Sequence, residues 1–278
     1  MDRIREPYIK AYTAIKEDWK DLLLVAVFHL AASYLVTLIA LPFIYSLAFS
    51  TVGAYLLMIF GSAILPYLVE EFGVYFFLII FFILIYLIVI LVLIFCVAIA
   101  VGSLHMGLNL FATKKTNDVL NGKKLELTPM LEEFRESFLD LFRKGFLLYV
   151  FYFILTFLMV MAIFALFFWT LILPYLFILI VMGISILLSP VLQFVLDMTI
   201  LNMVFGSRFF DSLGNSFRSL FRKEFLYYYI PVFLATFILT FSAYFLGPLS
   251  YVLQYIFFIG LKVFLIRNYE LMSAPQNA

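Results

Sequence analysis

The chain has 278 residues, of which 66% are hydrophobic and only 13% are charged. A soluble domain is typically about half apolar and about a quarter charged, so this composition excludes an ordinary soluble fold and requires lipid around much of the surface. The net charge of +1 gives no reason to expect nucleic acid as a partner, and the single cysteine, Cys96, excludes an intramolecular disulfide.

Four long segments contain no Asp, Glu, Lys or Arg: residues 22–69, 72–113, 145–196 and 225–261. A transmembrane helix needs about 20 apolar residues. The last two segments therefore each predict two helices. We place their connecting turns at Leu173-Pro174 and Gly247-Pro248, because proline ends the helix that precedes it.

The apolar stretch at about 50–69 decides the number of predicted spans. One interpretation has a first span at about 22–48, then an external or re-entrant piece with Gly53, Gly61 and Pro66 as breakers, then a second span at about 74–101. This gives six spans in total. The alternative has a separate span at about 46–68, seven spans in all, and an N-terminus on the outside.

The basic residues predict the orientation, because cytoplasmic loops of membrane proteins carry an excess of Lys and Arg. All 18 basic residues lie in four groups: residues 3–20, 114–144, 208–223 and 262–267. The predicted turns near Glu70, Pro174 and Pro248 contain none. We therefore expect a multi-pass protein of the cell membrane with both termini in the cytoplasm.

A sequence pattern, S-F-x-x-L-F-R-K-x-F-L, occurs at residues 137–147 and again at 216–226, and a weaker version occupies residues 15–24. Each copy carries apolar residues three and four apart, which is typical of one face of an amphipathic helix. The predicted fold is an all-α integral membrane protein of six transmembrane helices, arranged as three hairpins, each preceded by an amphipathic interfacial helix. It forms a single membrane domain over 1–278, with repeat units at about 1–111, 112–205 and 206–278.

Basic and aromatic residues end each interfacial segment where it enters the next span, and they are expected to contact lipid headgroups. These residues are Trp19, Lys20, Arg143, Lys144, Arg222 and Lys223. They serve either as topology anchors or in recognition of anionic lipid, although pairs of basic residues fall short of the clusters of four to eight that such recognition usually shows.

Polar residues within the predicted spans are costly in lipid and are therefore candidates for function. Those that we expect to line a vestibule open to the cytoplasm are His105, Asn109, Gln193, Asp197, Asn202 and Lys262. Asp197 and Lys262 lie at a similar predicted depth and could pair. In the structural alternative, Lys262 extends to the interface and the amides bond neighbouring helices, as we also expect of His29.

The chain has no pattern that predicts catalysis, a cofactor or a metal site. It lacks a glycine-rich phosphate loop and an HExxH motif, and it has only 2 histidines. We therefore do not expect an enzyme. The mixed charges of the 112–144 loop predict a solvated surface, or a docking site for another membrane or cytoplasmic protein.

The repeated interfacial helix and hairpin resemble a broad group of archaeal and bacterial multi-span membrane proteins, which includes the membrane domain of some glycerophosphodiester phosphodiesterases. The resemblance is carried by the two copies of the repeated pattern and by the small-residue segment Gly102-Ser103-Leu104-His105-Met106-Gly107-Leu108-Asn109, which is followed by an Asn121-Gly122 turn before Thr128-Pro129. The resemblance implies an architecture and no reaction, because the catalytic domain is missing. Mitochondrial carriers also have six spans in three repeats, but their surface helices follow a different order and motif.

Two functions are therefore expected about equally. The first is a scaffold or accessory subunit of a membrane assembly. The second is a transporter or a lipid-binding or lipid-translocating protein with a polar vestibule. A membrane enzyme that acts on lipids is less favoured, because catalytic groups are few.

Overall fold

The computed structural model describes residues 2–72, 74–169, 174–247 and 249–272, and within these ranges it contains helices and no strand. The predicted turn residues Leu173 and Pro248 lie outside the described residues. The helices are α1 (Asp2–Phe72), α2 (Val74–Leu120), α3 (Leu127–Trp169), α4 (Pro174–Val204), α5 (Phe209–Ser219), α6 (Phe225–Leu246), α7 (Leu249–Arg267) and α8 (Tyr269–Met272).

Four described helical segments are long and apolar enough to cross a membrane: Arg5–Gly53, Ile80–Leu120, Leu127–Leu158 and Leu187–Val204. In Ile80–Leu120, the mean hydropathy reaches 3.6 and only 6% of the most apolar window is buried. Such a surface is stable only against lipid or another apolar partner. The prediction of a helical, multi-pass membrane protein is therefore confirmed.

Helix α1 continues through the residues that were expected to break it. Gly53, Gly61 and Pro66 all lie within the helical backbone, which ends only at Phe72. A single glycine costs a helix only about 1 kcal/mol, and proline is tolerated in membrane helices, so these residues need not interrupt it. The backbone departs from helical geometry at Asp18 instead (φ −108°, ψ 19°), near the end of the predicted interfacial segment and before the first span.

The chain divides into two compact units: unit 1, Met1–Ser33 with Ser103–Ala278, and unit 2, Tyr34–Gly102. Unit 2 consists of the later part of α1 and the earlier part of α2, and many of its described apolar side chains, such as Phe43, Phe49 and Phe82, are exposed. Boundaries of the three repeat units remain a prediction.

The core of unit 1 is built from α1, α2, α4, α6 and α7, which contribute Val25, Ala112, Phe194, Tyr228 and Val263 respectively. Helix α4 packs against α5, α6 and α7. A second group of rings, Phe28, Phe111 and Phe134, joins α1, α2 and α3, with ring centroids 5.6 Å, 5.7 Å and 5.3 Å apart. Together these contacts hold the helices whose polar side chains form the site.

Helices α2 and α4 end in the same way, with a glycine in the left-handed region. Gly122 has a φ of 81° and Gly206 a φ of 93°. The nitrogens of Lys123 and Ser207 donate to the carbonyl oxygens of Asp118 and Asn202, which closes a Schellman motif at each end. Asn121 and Gly122 thus form a helix cap, and the described residues beside them form no strand.

Candidate functional site

A cavity of about 340 Å³ lies within unit 1 among helices α1, α2, α3, α4 and α7. Three apolar side chains, Met106, Leu196 and Phe258, form part of its wall. The remaining lining residues are polar or hydroxyl-bearing: His29, Ser33, His105, Asn109, Tyr152, Gln193, Gln254 and Tyr255. The cavity therefore places a concentration of polar groups inside helices that are otherwise apolar.

Lys262, on α7, lies beside this cavity and contacts Asn109, one of the lining residues. Its side chain is buried, and its Nζ donates to the backbone oxygen of Asn109 at 3.0 Å and also to Oδ1 of the same residue. Because an ammonium group can only donate, the amide of Asn109 must present its oxygen to Lys262. The amide nitrogen of Asn109 forms no hydrogen bond within the described part of the chain.

Asp197, on α4, supports the opposite amide in the same manner. Its Oδ2 accepts hydrogen bonds from Nε2 of Gln193 at 3.0 Å and from the hydroxyl of Tyr228, on α6, at 2.8 Å. Asp197 and Tyr228 are both buried. The carboxylate thus fixes the orientation of Gln193, whose Oε1 accepts no hydrogen bond from any described residue.

The two buried charges do not pair directly, although their similar depth had suggested it. Among the described residues no ion pair within 4.0 Å joins Asp197 and Lys262. They still attract each other over a longer distance. Each charge instead satisfies itself through an amide that lines the cavity, so Asp197 and Lys262 lie beside the cavity and not in its wall.

His29 is a buried polar residue of the cavity wall that has an unused hydrogen-bonding atom. Its side chain is only 7% exposed, and its ring meets that of Tyr255 edge-on, with centroids 5.0 Å apart. The Nδ1 atom has no hydrogen-bond partner within the described residues. Leaving such a group unsatisfied in a buried site costs about 1–3 kcal/mol, which a bound ligand would recover.

No protein-family model, no curated protein and no solved structure matches this chain. Within the part of the chain that the structure describes, no group of three or more His, Cys, Asp or Glu residues could hold a metal ion.

The structure brings together half of the predicted vestibule residues and separates one from the rest. His105, Asn109 and Gln193 line the cavity. Asn202 does not: its Nδ2 donates to the carbonyl oxygen of Ser212 at 3.1 Å, and its Oδ1 accepts from the hydroxyl of Tyr269 at 2.5 Å. Burial raises the pKa of Tyr269, which favours the protonated, donating form. Asn202 therefore joins α4 to α5 and α8.

Some lining residues had a signal in the sequence and others had none. His29 and Ser33 are four residues apart, and Gln254, Phe258 and Lys262 are also spaced by four, so each set shares one helix face. Tyr152 is one of 18 tyrosines and nothing in its spacing distinguishes it. The polar faces of α1 and α7 could thus have been predicted, whereas the contribution of α3 could not.

The third predicted interfacial segment, α5, turns its small polar residues inward. Ser212, Ser216 and Ser219 are buried, and Ser216 Oγ accepts from Thr199 Oγ1 at 3.0 Å. The predicted apolar stripe faces outward at its start, where Phe210 is 77% exposed, whereas the ring of Phe217 contacts that of Phe151 on α3 with centroids 6.2 Å apart. An amphipathic helix with its apolar face outward suits lipid and not water.

The six residues predicted at the lipid headgroups have side chains that are exposed or partly exposed. Trp19, Lys20, Arg143 and Lys223 are exposed. Lys144 forms an ion pair with Asp140 at 2.6 Å, and Arg222 Nε lies 3.6 Å from Glu224. These positions are accessible to headgroups, and contact with lipid remains a prediction.

The segment predicted as the 112–144 loop is mostly helical, since residues 112–120 belong to α2 and residues 127–144 to α3. Several of its charged residues bond to one another. Lys115 is buried beside Phe111, and it pairs with Glu133 and, at 3.6 Å, with Asp118. Lys123 donates to Asp118 at 2.7 Å, and this hydrogen bond raises the pKa of Lys123. The loop therefore contains a connected charge cluster, and a docking role for it remains a prediction.

Proposed function

We propose that this chain is a non-enzymatic membrane protein that binds a small polar solute or a lipid headgroup within the unit 1 cavity, as a transporter or a lipid-handling protein. The observation that carries the proposal is the 340 Å³ cavity, to which eight polar or hydroxyl-bearing residues contribute beside three apolar ones. This volume lies at the lower end of the range typical of ligand sites, about 300–1,000 Å³.

The unused hydrogen-bonding atoms favour ligand binding over a purely structural role. Polar residues that only join membrane helices bond to one another across the helix interface. Here His29 Nδ1 is left without a partner among the described residues, beside a cavity that could hold one. A scaffold or accessory subunit remains the second candidate, and the exposed apolar side chains of unit 2 support it because a partner could cover them.

Purification of the full chain in mild detergent, followed by native mass spectrometry, tests the cavity as a binding site. We expect wild-type protein to carry a bound solute or lipid, and Met106→Trp, which fills the cavity, to lose it. Leu253→Trp is the matched control, because Leu253 is exposed on α7 and does not line the cavity. A wild-type protein that is free of ligand but bound to a stoichiometric protein partner would favour the scaffold.

The proposed topology is six spans in three hairpins, with the termini in the cytoplasm. Six helices, α1, α2, α3, α4, α6 and α7, have 71, 47, 43, 31, 22 and 19 residues. Each reaches the length of about 20 residues that a span needs. Helix α1 would be about 107 Å long at 1.5 Å per residue, which is enough for two spans and keeps the seven-span alternative open.

Cysteine accessibility in sealed cells decides between these topologies. In a Cys96→Ser background, Tyr12→Cys and Lys123→Cys provide exposed sites, whereas the neighbouring Ala11 is buried. Six spans predict that an impermeant maleimide labels neither site until the cells are opened. Seven spans predict labelling of Tyr12→Cys alone in intact cells, which would refute the cytoplasmic N-terminus.

A further inference from the structure

The two amides of the cavity are held in opposite orientations by the two buried charges. Lys262 donates a hydrogen bond to the side-chain oxygen of Asn109, so the amide nitrogen of Asn109 is left to donate to a ligand. Asp197 accepts a hydrogen bond from the amide nitrogen of Gln193, so the amide oxygen of Gln193 is left to accept from a ligand. The orientations follow from chemistry, because an ammonium cannot accept and a carboxylate cannot donate.

The cavity therefore offers one fixed donor and one fixed acceptor, while the charges that fix them are already satisfied. Asp197 receives two hydrogen bonds, from Gln193 and Tyr228, and Lys262 gives two to Asn109. Their charges are opposite, and within the described residues no Asp, Glu, Lys or Arg lines the cavity itself. An ionic ligand would enter a site with no uncompensated charge to receive it, at a large desolvation cost.

This step rests on the proposed ligand-binding function. We infer that the ligand group is uncharged and that it both accepts and donates hydrogen bonds, as a hydroxyl group does. Such a group accepts from Asn109 and donates to Gln193, and a second hydroxyl can satisfy His29 Nδ1. A carboxylate or phosphate, which only accepts, would leave the Gln193 oxygen unsatisfied. A polyol fits this chemistry, whether free in solution or carried as the headgroup of an uncharged glycolipid.

Binding of matched probes to the full chain in phosphatidylcholine nanodiscs tests this inference. For the free source, the probes are myo-inositol and myo-inositol 1-phosphate, titrated by calorimetry. For the lipid source, they are monogalactosyl diacylglycerol and phosphatidic acid, counted by native mass spectrometry. We expect binding of at least one uncharged probe and weaker binding of its charged counterpart. The uncharged probe that binds shows whether the ligand is a polyol free in solution or the headgroup of a glycolipid.

Two variants connect this binding to the amides. Gln193→Met removes the acceptor at nearly constant size and is expected to lower the affinity about tenfold, the equivalent of one lost hydrogen bond. Met106→Trp blocks the cavity without touching the charges and should abolish binding, while Leu253→Trp should bind like wild type. Melting temperature confirms that each variant is folded, and a misfolded Gln193→Met leaves Met106→Trp to decide.

The results separate this inference from the proposed function. Preferred binding of the phosphorylated probe, abolished by Met106→Trp, would overturn the uncharged ligand and leave the cavity as a binding site. Binding of any probe that Met106→Trp does not reduce would overturn both. Failure of all four probes to bind the wild-type protein would overturn the inferred ligand chemistry.

Discussion

Gly145, on α3, lies so close to Gly107, on α2, that a Cβ atom at position 145 would be 2.6 Å from the backbone nitrogen of Gly107. A Cβ at position 107 would in turn be 2.8 Å from the carbonyl oxygen of Leu141. Both distances are below those of real Cβ contacts, and both neighbours are backbone atoms that cannot rotate away. The two helices thus meet through small residues, as membrane helices commonly do.

Gly145→Ala is therefore expected to destabilise unit 1. The added methyl group must push α2 and α3 apart, and overpacking of this kind typically costs about 1–3 kcal/mol. The cavity should also be distorted, because His105 and Asn109 flank Gly107 on α2. The measurement is the apparent melting temperature of the detergent-solubilised protein by size-exclusion chromatography.

Gly214→Ala provides the matched control for this substitution. Gly214 is also helical, on α5, but a Cβ there would meet no atom within 4 Å, and its φ is not positive. Alanine should leave the melting temperature unchanged or raise it slightly, because alanine favours the helix. Equal losses in the two variants would contradict the close packing of α2 and α3.

The two buried charges should show energetic coupling although they are not in contact. We expect Asp197→Asn and Lys262→Met each to lower stability, because each leaves the opposite charge without its attraction and removes hydrogen bonds. The double variant should lose less than the sum of the single variants, by about 0.5–3 kcal/mol. Melting temperature or denaturant titration of all four proteins supplies the double-mutant cycle.

Additive losses would mean that Asp197 and Lys262 act independently. Phe210→Ser is a useful reference in this cycle, since Phe210 is exposed on α5 and shares no partner with either charge. Combined with Lys262→Met, its effect should simply add. Coupling with Phe210 as large as with Asp197 would indicate a general loss of structure.

The sequence predicted the helical membrane fold, because uncharged stretches of more than 35 residues admit few alternatives. It also predicted that His105, Asn109 and Gln193 belong together, since His105 and Asn109 share a helix face and all three lie toward the same end of their predicted spans. It did not predict that Lys262 bonds Asn109 instead of Asp197. Depth in the membrane can be estimated from position in a helix, but the rotation of one helix relative to another depends on packing.

The repeated pattern shows a second limit of sequence inference. Residues 137–147 lie within one continuous helix, α3, whereas residues 216–226 include the end of α5 at Ser219 and the start of α6 at Phe225. The copies differ where Gly145 is replaced by Glu224. Gly145 permits close contact with α2, whereas Glu224 lies near Arg222 in the connection between α5 and α6. Similar sequences therefore form different local structures.

Because the serines of α5 are buried and some of its aromatic residues are exposed, substitution of a serine should lower stability more than substitution of an exposed phenylalanine. Ser216→Leu should destabilise the protein, because leucine does not fit the buried position and removes one of the acceptors of Thr199 and of Asn202. Phe210→Ser, on the exposed side of α5, should have little effect on stability in detergent. The pair is compared by melting temperature. A larger loss for Phe210→Ser would show that this aromatic residue packs inward.

Membrane contact by α5 is tested with the same outward face. Phe210, on α5, is 77% exposed and is expected to lie in the lipid headgroup region, as is Phe221, which is 90% exposed in the connection after α5. Tryptophan placed at Phe210, with Trp19 and Trp169 changed to Phe, should be quenched by brominated lipid in vesicles. Tryptophan at Asn121, in the exposed turn after α2, serves as the unquenched control. Equal quenching at the two positions would contradict an interfacial α5.

The charge cluster of the 112–144 loop predicts that substitutions of Glu133 and Lys123 have unequal effects on stability. Glu133 pairs with both Lys114 and the buried Lys115, so Glu133→Gln leaves a buried ammonium with Asp118 as its remaining partner, 3.6 Å away. We expect a loss of about 1 kcal/mol, since a desolvated charge depends on its partners. Lys123→Met removes only an exposed lysine from Asp118 and should leave the melting temperature unchanged. Raising the salt concentration should reduce the difference little, because screening acts weakly on buried charges. If the two variants melt alike, Lys115 does not depend on Glu133, and the loop is a solvated surface without a fixed charge cluster.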